Sequence, residues 1–149
     1  LNTLGVFPIA PDGVPAKTPD SERDFVKDLT KGVAFKYIFA NQDEQIQIVS
    51  GLDHPFALKK GEKEAGSLYD PKSGRLLTFK TSAPCLVTYS ANFVDDTVIL
   101  NGQSMIQHNG LALETQALPD AIHSDLKADV ILKAGEVFTS TTIYHATTK

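Results

Sequence analysis

The segment Gly110-Leu111-Ala112-Leu113-Glu114-Thr115-Gln116-Ala117-Leu118-Pro119-Asp120-Ala121 places one carboxylate inside an otherwise apolar run. In an extended strand Leu111 and Leu113 share one face, and Ala112 and Glu114 share the other. Two readings of Glu114 are open. Its carboxylate points to solvent, as glutamates ordinarily do, or it lines a cavity where partial loss of water raises its pKa toward that of a useful general base. A second candidate is Asp53, in Ser50-Gly51-Leu52-Asp53-His54-Pro55-Phe56-Ala57-Leu58. Pro55 holds the residue before it extended, so the side chains of Asp53 and His54 diverge. Asp53 is either a turn residue bonded to backbone amides or a fixed acceptor for ligand hydroxyls.

Other chemistry finds less support. The four histidines, His54, His108, His123 and His145, form no short ligand pair, and Cys85 is the only cysteine, so no metal site is expected. Leu86 and Val87 beside Cys85 suggest an inert core thiol rather than a nucleophile. There is no Gly-x-Ser-x-Gly elbow, no phosphate-binding glycine loop and no dinucleotide fingerprint.

The elements that must hold these residues read mainly as strands. Phe35, Tyr37 and Phe39 alternate in one run, and Ile46 and Ile48 alternate with Gln45 and Gln47 in the next, the pattern of half-buried strands. Ser67 to Lys80 reads as a hairpin turning at Asp70-Pro71-Lys72-Ser73-Gly74. Further strands are expected at Leu86 to Tyr89, at Thr97 to Leu100 closed by the turn dipeptide Asn101-Gly102, and at Leu111 to Thr115. A last pair, Asp129 to Leu132 and Val137 to His145, is joined by Lys133-Ala134-Gly135-Glu136. The helix signal is confined to Asp20 to Leu29, with Asp20 or Ser21 as cap and Phe25, Val26 and Leu29 as apolar face. Many short strands separated by turns predict an all-β sandwich or barrel.

At 149 residues and 42% apolar composition the chain can bury one core, and no composition break divides it. Fourteen basic against eighteen acidic residues leave a net charge of −4 without a basic cluster, which argues against nucleic acid as a partner. No apolar stretch approaches the roughly 18 residues of a membrane-spanning helix. A soluble, cytoplasmic protein with a reduced thiol is expected. The chain begins at Leu1 without a secretory pattern, which suggests processing or a fragment of something longer.

Three of these segments, in this order and approximate spacing, resemble the aldose 1-epimerase (galactose mutarotase) family. They are Gly51-Leu52-Asp53-His54-Pro55-Phe56, Leu113-Glu114-Thr115-Gln116 with Pro119-Asp120-Ala121, and Ile131-Leu132-Lys133-Ala134-Gly135-Glu136. Leu86-Val87-Thr88-Tyr89-Ser90-Ala91-Asn92 resembles the family's intervening strand, and Arg23-Asp24-Phe25 sits where a similar family segment falls. The resemblance runs over nearly the whole chain. It implies that residues 1–149 are the C-terminal half of a single antiparallel β-sandwich domain of the galactose mutarotase-like type, with the N-terminal half absent.

The activity implied is interconversion of the α and β anomers of hexoses such as galactose or glucose. By that resemblance Glu114 is the general base, Asp53 binds sugar hydroxyls and Tyr89 lies near the sugar. A base takes the C1 hydroxyl proton while an acid protonates the ring oxygen, and no cofactor is implied. In the family the acid and a second sugar-contacting group are histidines of the N-terminal half. None of the four histidines here lies in a matching motif, so no acid is assigned. A complementary N-terminal chain or segment, or a homo-oligomer, is the expected partner beside the hexose, because a half sandwich leaves edges and an inner face uncovered. Two other readings are a non-catalytic carbohydrate-binding protein of the same fold and a relative acting on modified or phosphorylated sugars. The latter would need cations placed for an anion, and neither Arg23 nor Arg75 sits in such a motif.

Overall fold

A computed structural model describes residues 1–61, 64–95 and 97–149. Along the described residues the chain runs β1 (Thr3–Val6), α1 (Asp24–Lys31), α2 (Phe35–Phe39), α3 (Glu44–Ile48), β2 (Asp53–Leu58), β3 (Gly66–Asp70), β4 (Arg75–Thr81), β5 (Cys85–Tyr89), β6 (Ile99–Leu100), β7 (Gln103–Ser104), β8 (Ala112–Gln116) and β9 (Thr142–Thr148), with 3₁₀ turns at Ala121–His123 and Lys127–Asp129. The strands form a four-stranded sheet in the order β1-β2-β5-β8, a three-stranded sheet β3-β4-β9 and a small β6-β7 hairpin. Their pairings are antiparallel, so the chain has the expected all-β, antiparallel character. No helix among the described residues is long and apolar enough to cross a membrane.

The two faces of the four-stranded sheet have different fates. In an antiparallel pair directly opposed residues share a face, so His54 with Thr88 and Leu113, and Phe56 with Leu86 and Thr115, face one way. That side is the core. Phe56 packs with Val6, Phe25, Val26, Ile38, Ile46 and Leu52, which brings in all three helices. Leu86 and Leu58 pack with Phe79 of β4, tying the second sheet to the first. Burying a side chain such as Phe25 or Phe56 contributes about 1.5–3 kcal/mol. On the opposite face Phe7 and Cys85 pack with Leu118 and Ala121.

Several local expectations are corrected. The run Phe35, Tyr37, Phe39 is helix α2, not a strand. Phe35 and Phe39, four apart, stack on one side of it, Ile38 is buried and Tyr37 points outward. The run through Ile46 and Ile48 is helix α3. The Asp43 side chain caps it by accepting from the Gln45 N–H, Ile46 is buried and Ile48 is exposed. Helix α1 starts at Asp24 with Arg23 at its cap, because Asp20 is engaged through its backbone with Val6. Asp129 to Leu132 is not a strand, since a 3₁₀ turn leads into irregular chain. The Lys133–Glu136 turn does form, with the Glu136 N–H donating to Lys133 O, but it returns no strand onto 129–132. The last strand begins at Thr142 rather than Val137 and pairs with β4.

Turn chemistry is where expectation and structure agree closely. The Asp70 carboxylate accepts from the Lys72 and Ser73 N–H groups, and Gly74 takes a φ of 72°, closing the β3-β4 hairpin. Asn101 and Gly102 both have positive φ, as a two-residue hairpin turn requires.

Candidate active site

The register of β2, β5 and β8 assembles the site. Asp53 lies opposite Tyr89 and Tyr89 opposite Ala112; one row along, Pro55 lies opposite Val87 and Val87 opposite Glu114. Asp53, Tyr89 and Glu114 therefore share the face that does not carry the helical core, with Pro55, Val87 and Ala112 as a small apolar floor between them. His54 turns the other way, into the core beside Phe25, as the divergence at Pro55 anticipated.

Asp53 is half-buried and belongs to a strand rather than to a turn. Partial burial, and then the negative charge of Glu114, hold its carboxyl above the ordinary aspartate range. A carboxylate that has lost water and faces another carboxylate is disposed to accept hydrogen bonds from neutral hydroxyls. Glu114 is exposed on β8, the outer strand of the sheet. Tyr89 is half-buried, and its hydroxyl accepts from the Phe93 N–H, which fixes the ring.

The ends of β2 and β5 beside Asp53 are held by a buried polar network that sequence reasoning missed. Ser90 Oγ accepts from the Leu52 N–H at 2.9 Å and donates to Asn92 Oδ1, while Asn92 Nδ2 donates to Leu52 O at 2.9 Å. Gly51 precedes this network with a φ of 149°, and a Cβ there would fall against Asn92 Oδ1 and 2.6 Å from Ser90 Oγ. The available signal was Gly51 two residues ahead of Asp53, matched with Ser90-Ala91-Asn92 after Tyr89. Only the strand pairing connects them.

The remaining candidates are engaged elsewhere. His123 bonds Asp120 through Nδ1, and His145 lies on β9 of the second sheet. Among the described residues no three His, Cys, Asp or Glu side chains gather as a metal would need. Burial pushes the Cys85 thiol up to about 12, so it is no nucleophile. Arg23 is held by Asp20, Asp43 and Glu44, and Arg75 lies on the second sheet. A cavity of about 490 Å³ opens on the core side of the sheet and is walled by Leu52, Phe56, Phe79, Leu86, Thr88 and Leu113. It is separated from Asp53 and Glu114 by the sheet itself.

The aldose 1-epimerase family model matches residues 1–145. A galactose mutarotase from Bos taurus is 39% identical over 98 residues, 63% of this chain and 28% of that protein. An aldose 1-epimerase from Haemophilus influenzae is 30% identical over 121 residues, 80% of this chain and 35% of that protein. Among solved structures, a galactose 1-epimerase from Lactobacillus acidophilus superposes with a TM-score of 0.74 at 27% identity, covering 98% of this chain and 41% of its own. An aldose epimerase homologue from C. elegans gives 0.76 at 19% identity, covering 99% and 44%, and supports the fold. The antiparallel sheets are those of a galactose mutarotase-like fold. This chain belongs to the aldose 1-epimerase family, of whose curated relatives it spans about a third of the length or less.

Proposed function

We propose that this chain supplies the general-base and sugar-binding side of a hexose mutarotase, acting on a sugar such as galactose or glucose. The observation that carries the reading is the placement of Asp53 and Glu114 on one sheet face, near enough for their charges to interact. Glu114 takes the proton from the C1 hydroxyl while an acid protonates the ring oxygen. The C1–O5 bond opens, the aldehyde turns, and closure on its other face returns both protons. Asp53 accepts hydrogen bonds from sugar hydroxyls, and Tyr89 flanks them.

The acid comes from outside this chain. His54 faces the core, His108 and His123 are bonded to Ser50 and Asp120, and His145 is on the second sheet. A complementary N-terminal segment of the family's sandwich, on the same or a separate polypeptide, provides the acid and covers the apolar surface left open, with self-association as the substitute when it is absent. Supporting this are the outer position of β8 and the exposure of Val130, Ile131, Leu132, Val137 and Phe138. The unpaired, buried Cys85 suits a reducing cytoplasm.

The exposure of Glu114 favours a second reading for the chain by itself, a carbohydrate-binding module without turnover. Polarimetry of freshly dissolved α-galactose and α-glucose separates the two, with this chain, with the chain plus an N-terminal segment from a relative, and with Glu114→Gln. Acceleration lost by on the order of 10²–10⁴ in the variant is expected of the enzyme. Galactose binding without acceleration in any combination identifies the module.

A further inference from the structure

We propose that His108 is a positioning residue of the candidate active site, clamping the turn that leads into Asp53 to the segment that leaves Tyr89. Its Nε2–H donates to Ser50 O at 2.7 Å, the only sense the bond can have with a carbonyl partner. Its backbone N–H donates to Ala91 O at 3.0 Å. The imidazole lies flat on Phe39 of α2, with centroids 3.8 Å apart and planes at 14°. One residue therefore joins three otherwise separate pieces: the end of the α3 turn at Ser50, the exit from β5 at Ala91, and helix α2. The neighbouring Gln107 reinforces the clamp, with Nε2 donating to Asn92 O at 3.0 Å.

Backbone conformation marks the same junction. Ser50, Ala91 and His108 all have left-handed φ, at 55°, 50° and 64°. For residues with a side chain this conformation costs roughly 1–2 kcal/mol each, and such residues gather where surrounding contacts over-determine the backbone. Here the three strained residues are the three that His108 bonds together. Ser50 precedes the Gly51-Leu52 step by which β2 enters at Asp53, and Ala91 lies two residues beyond Tyr89. Loss of the clamp releases both strand ends at the site while leaving the Phe25–Phe56 core behind them in place.

The inference rests on the reading of Asp53 as a sugar-binding group, and its test is chosen to stand apart from that reading. His108→Asn keeps a residue that tolerates left-handed φ but is too short to reach Ser50 O and has no ring to stack. His108→Gln restores the reach. The Asp53 carboxyl is titrated by ¹³C NMR in the full chain and both variants, alongside thermal denaturation. The expected result is an Asp53 pKa above the ordinary range in the parent, shifted back toward it in His108→Asn, and recovered in His108→Gln. Where the chain or its complemented form binds or equilibrates galactose, His108→Asn weakens it by on the order of tenfold to a hundredfold, as misplacement of a positioned group does. An unmoved Asp53 titration in His108→Asn overturns the proposal, whatever the melting temperature does, and identifies His108 as a support of the fold alone. A chain without sugar binding or anomer exchange, but with the expected titration, overturns the mutarotase reading and leaves the clamp standing.

Discussion

Asp53 and Glu114 come from strands that do not touch, β2 and β8, yet the register through β5 turns both carboxyls to one face, where the charge of Glu114 adds to burial in lifting the Asp53 carboxyl. The intervening strand contributes a valine between them rather than a cation, so nothing on β5 neutralises the repulsion.

That coupling has a direct readout. In Glu114→Gln the Asp53 pKa falls toward the ordinary aspartate value but does not reach it, because burial is the larger cause and persists. A ¹³C NMR titration of the parent and the variant measures the difference. An Asp53 that titrates identically in both would mean that the two carboxyls do not sense each other.

His54 makes stability depend on pH. Its imidazole is fully buried; Nδ1 accepts from the Asp53 N–H, which places the proton on Nε2, and burial pulls its pKa down from 6.5 to about 4. As the pH drops below 6.5 the unfolded chain takes up a proton at this residue and the folded chain does not, so stability that is complete above 6.5 is lost between 6.5 and about 4, by about 3 kcal/mol in all. Asp53 acts in the opposite sense, since a raised carboxyl favours the fold as pH falls. Urea denaturation across this range is therefore best compared between Asp53→Asn and Asp53→Asn/His54→Phe. The second should lack the decline.

Cys85 should react slowly with a thiol reagent at pH 8 in the folded chain and at once in denaturant, because burial keeps the thiol protonated and covered. Rapid stoichiometric labelling of native protein would contradict the packing of Phe7, Leu118 and Ala121 over it.

Gly51→Ala should lower stability by about 2–4 kcal/mol, from an unfavourable φ together with contacts on Asn92 and Ser90 that have no room to give. Gly110→Ala is the control: its added methyl meets only the Ala91 Cβ, at 4.0 Å, and the melting temperature should barely change.

What could be read from the sequence was what short stretches decide by themselves. Asp70-Pro71-Lys72-Ser73-Gly74 and Asn101-Gly102 form the turns their chemistry dictates, and the alternation around Glu114 gives its strand and face. Spacing of two failed where it also satisfies four: Phe35 and Phe39 serve a helix as well as a strand, and only the packing of Ile38 against Phe25 and Phe56 decides. Position in the sheet was beyond reach altogether. That Glu114 falls on the outermost strand, and so in water, follows from which strands pair, as does the union of Gly51 with Ser90 and Asn92. The same long-range pairing sends β9 to β4 instead of to residues 129–132.

The partnership of β9 with β4 also sets an order in time. Strand β4 is finished at Thr81, and the strand that covers its second edge is made roughly sixty residues later, an interval of several seconds at a synthesis rate of about 5–20 residues/s. Until then the β3-β4 hairpin shows Leu77 and Phe79 along a bare edge, and a nascent chain that meets another copy in that interval has a ready template for the wrong strand. The yield of properly folded chain should therefore depend on how crowded the neighbouring copies are while it is being made.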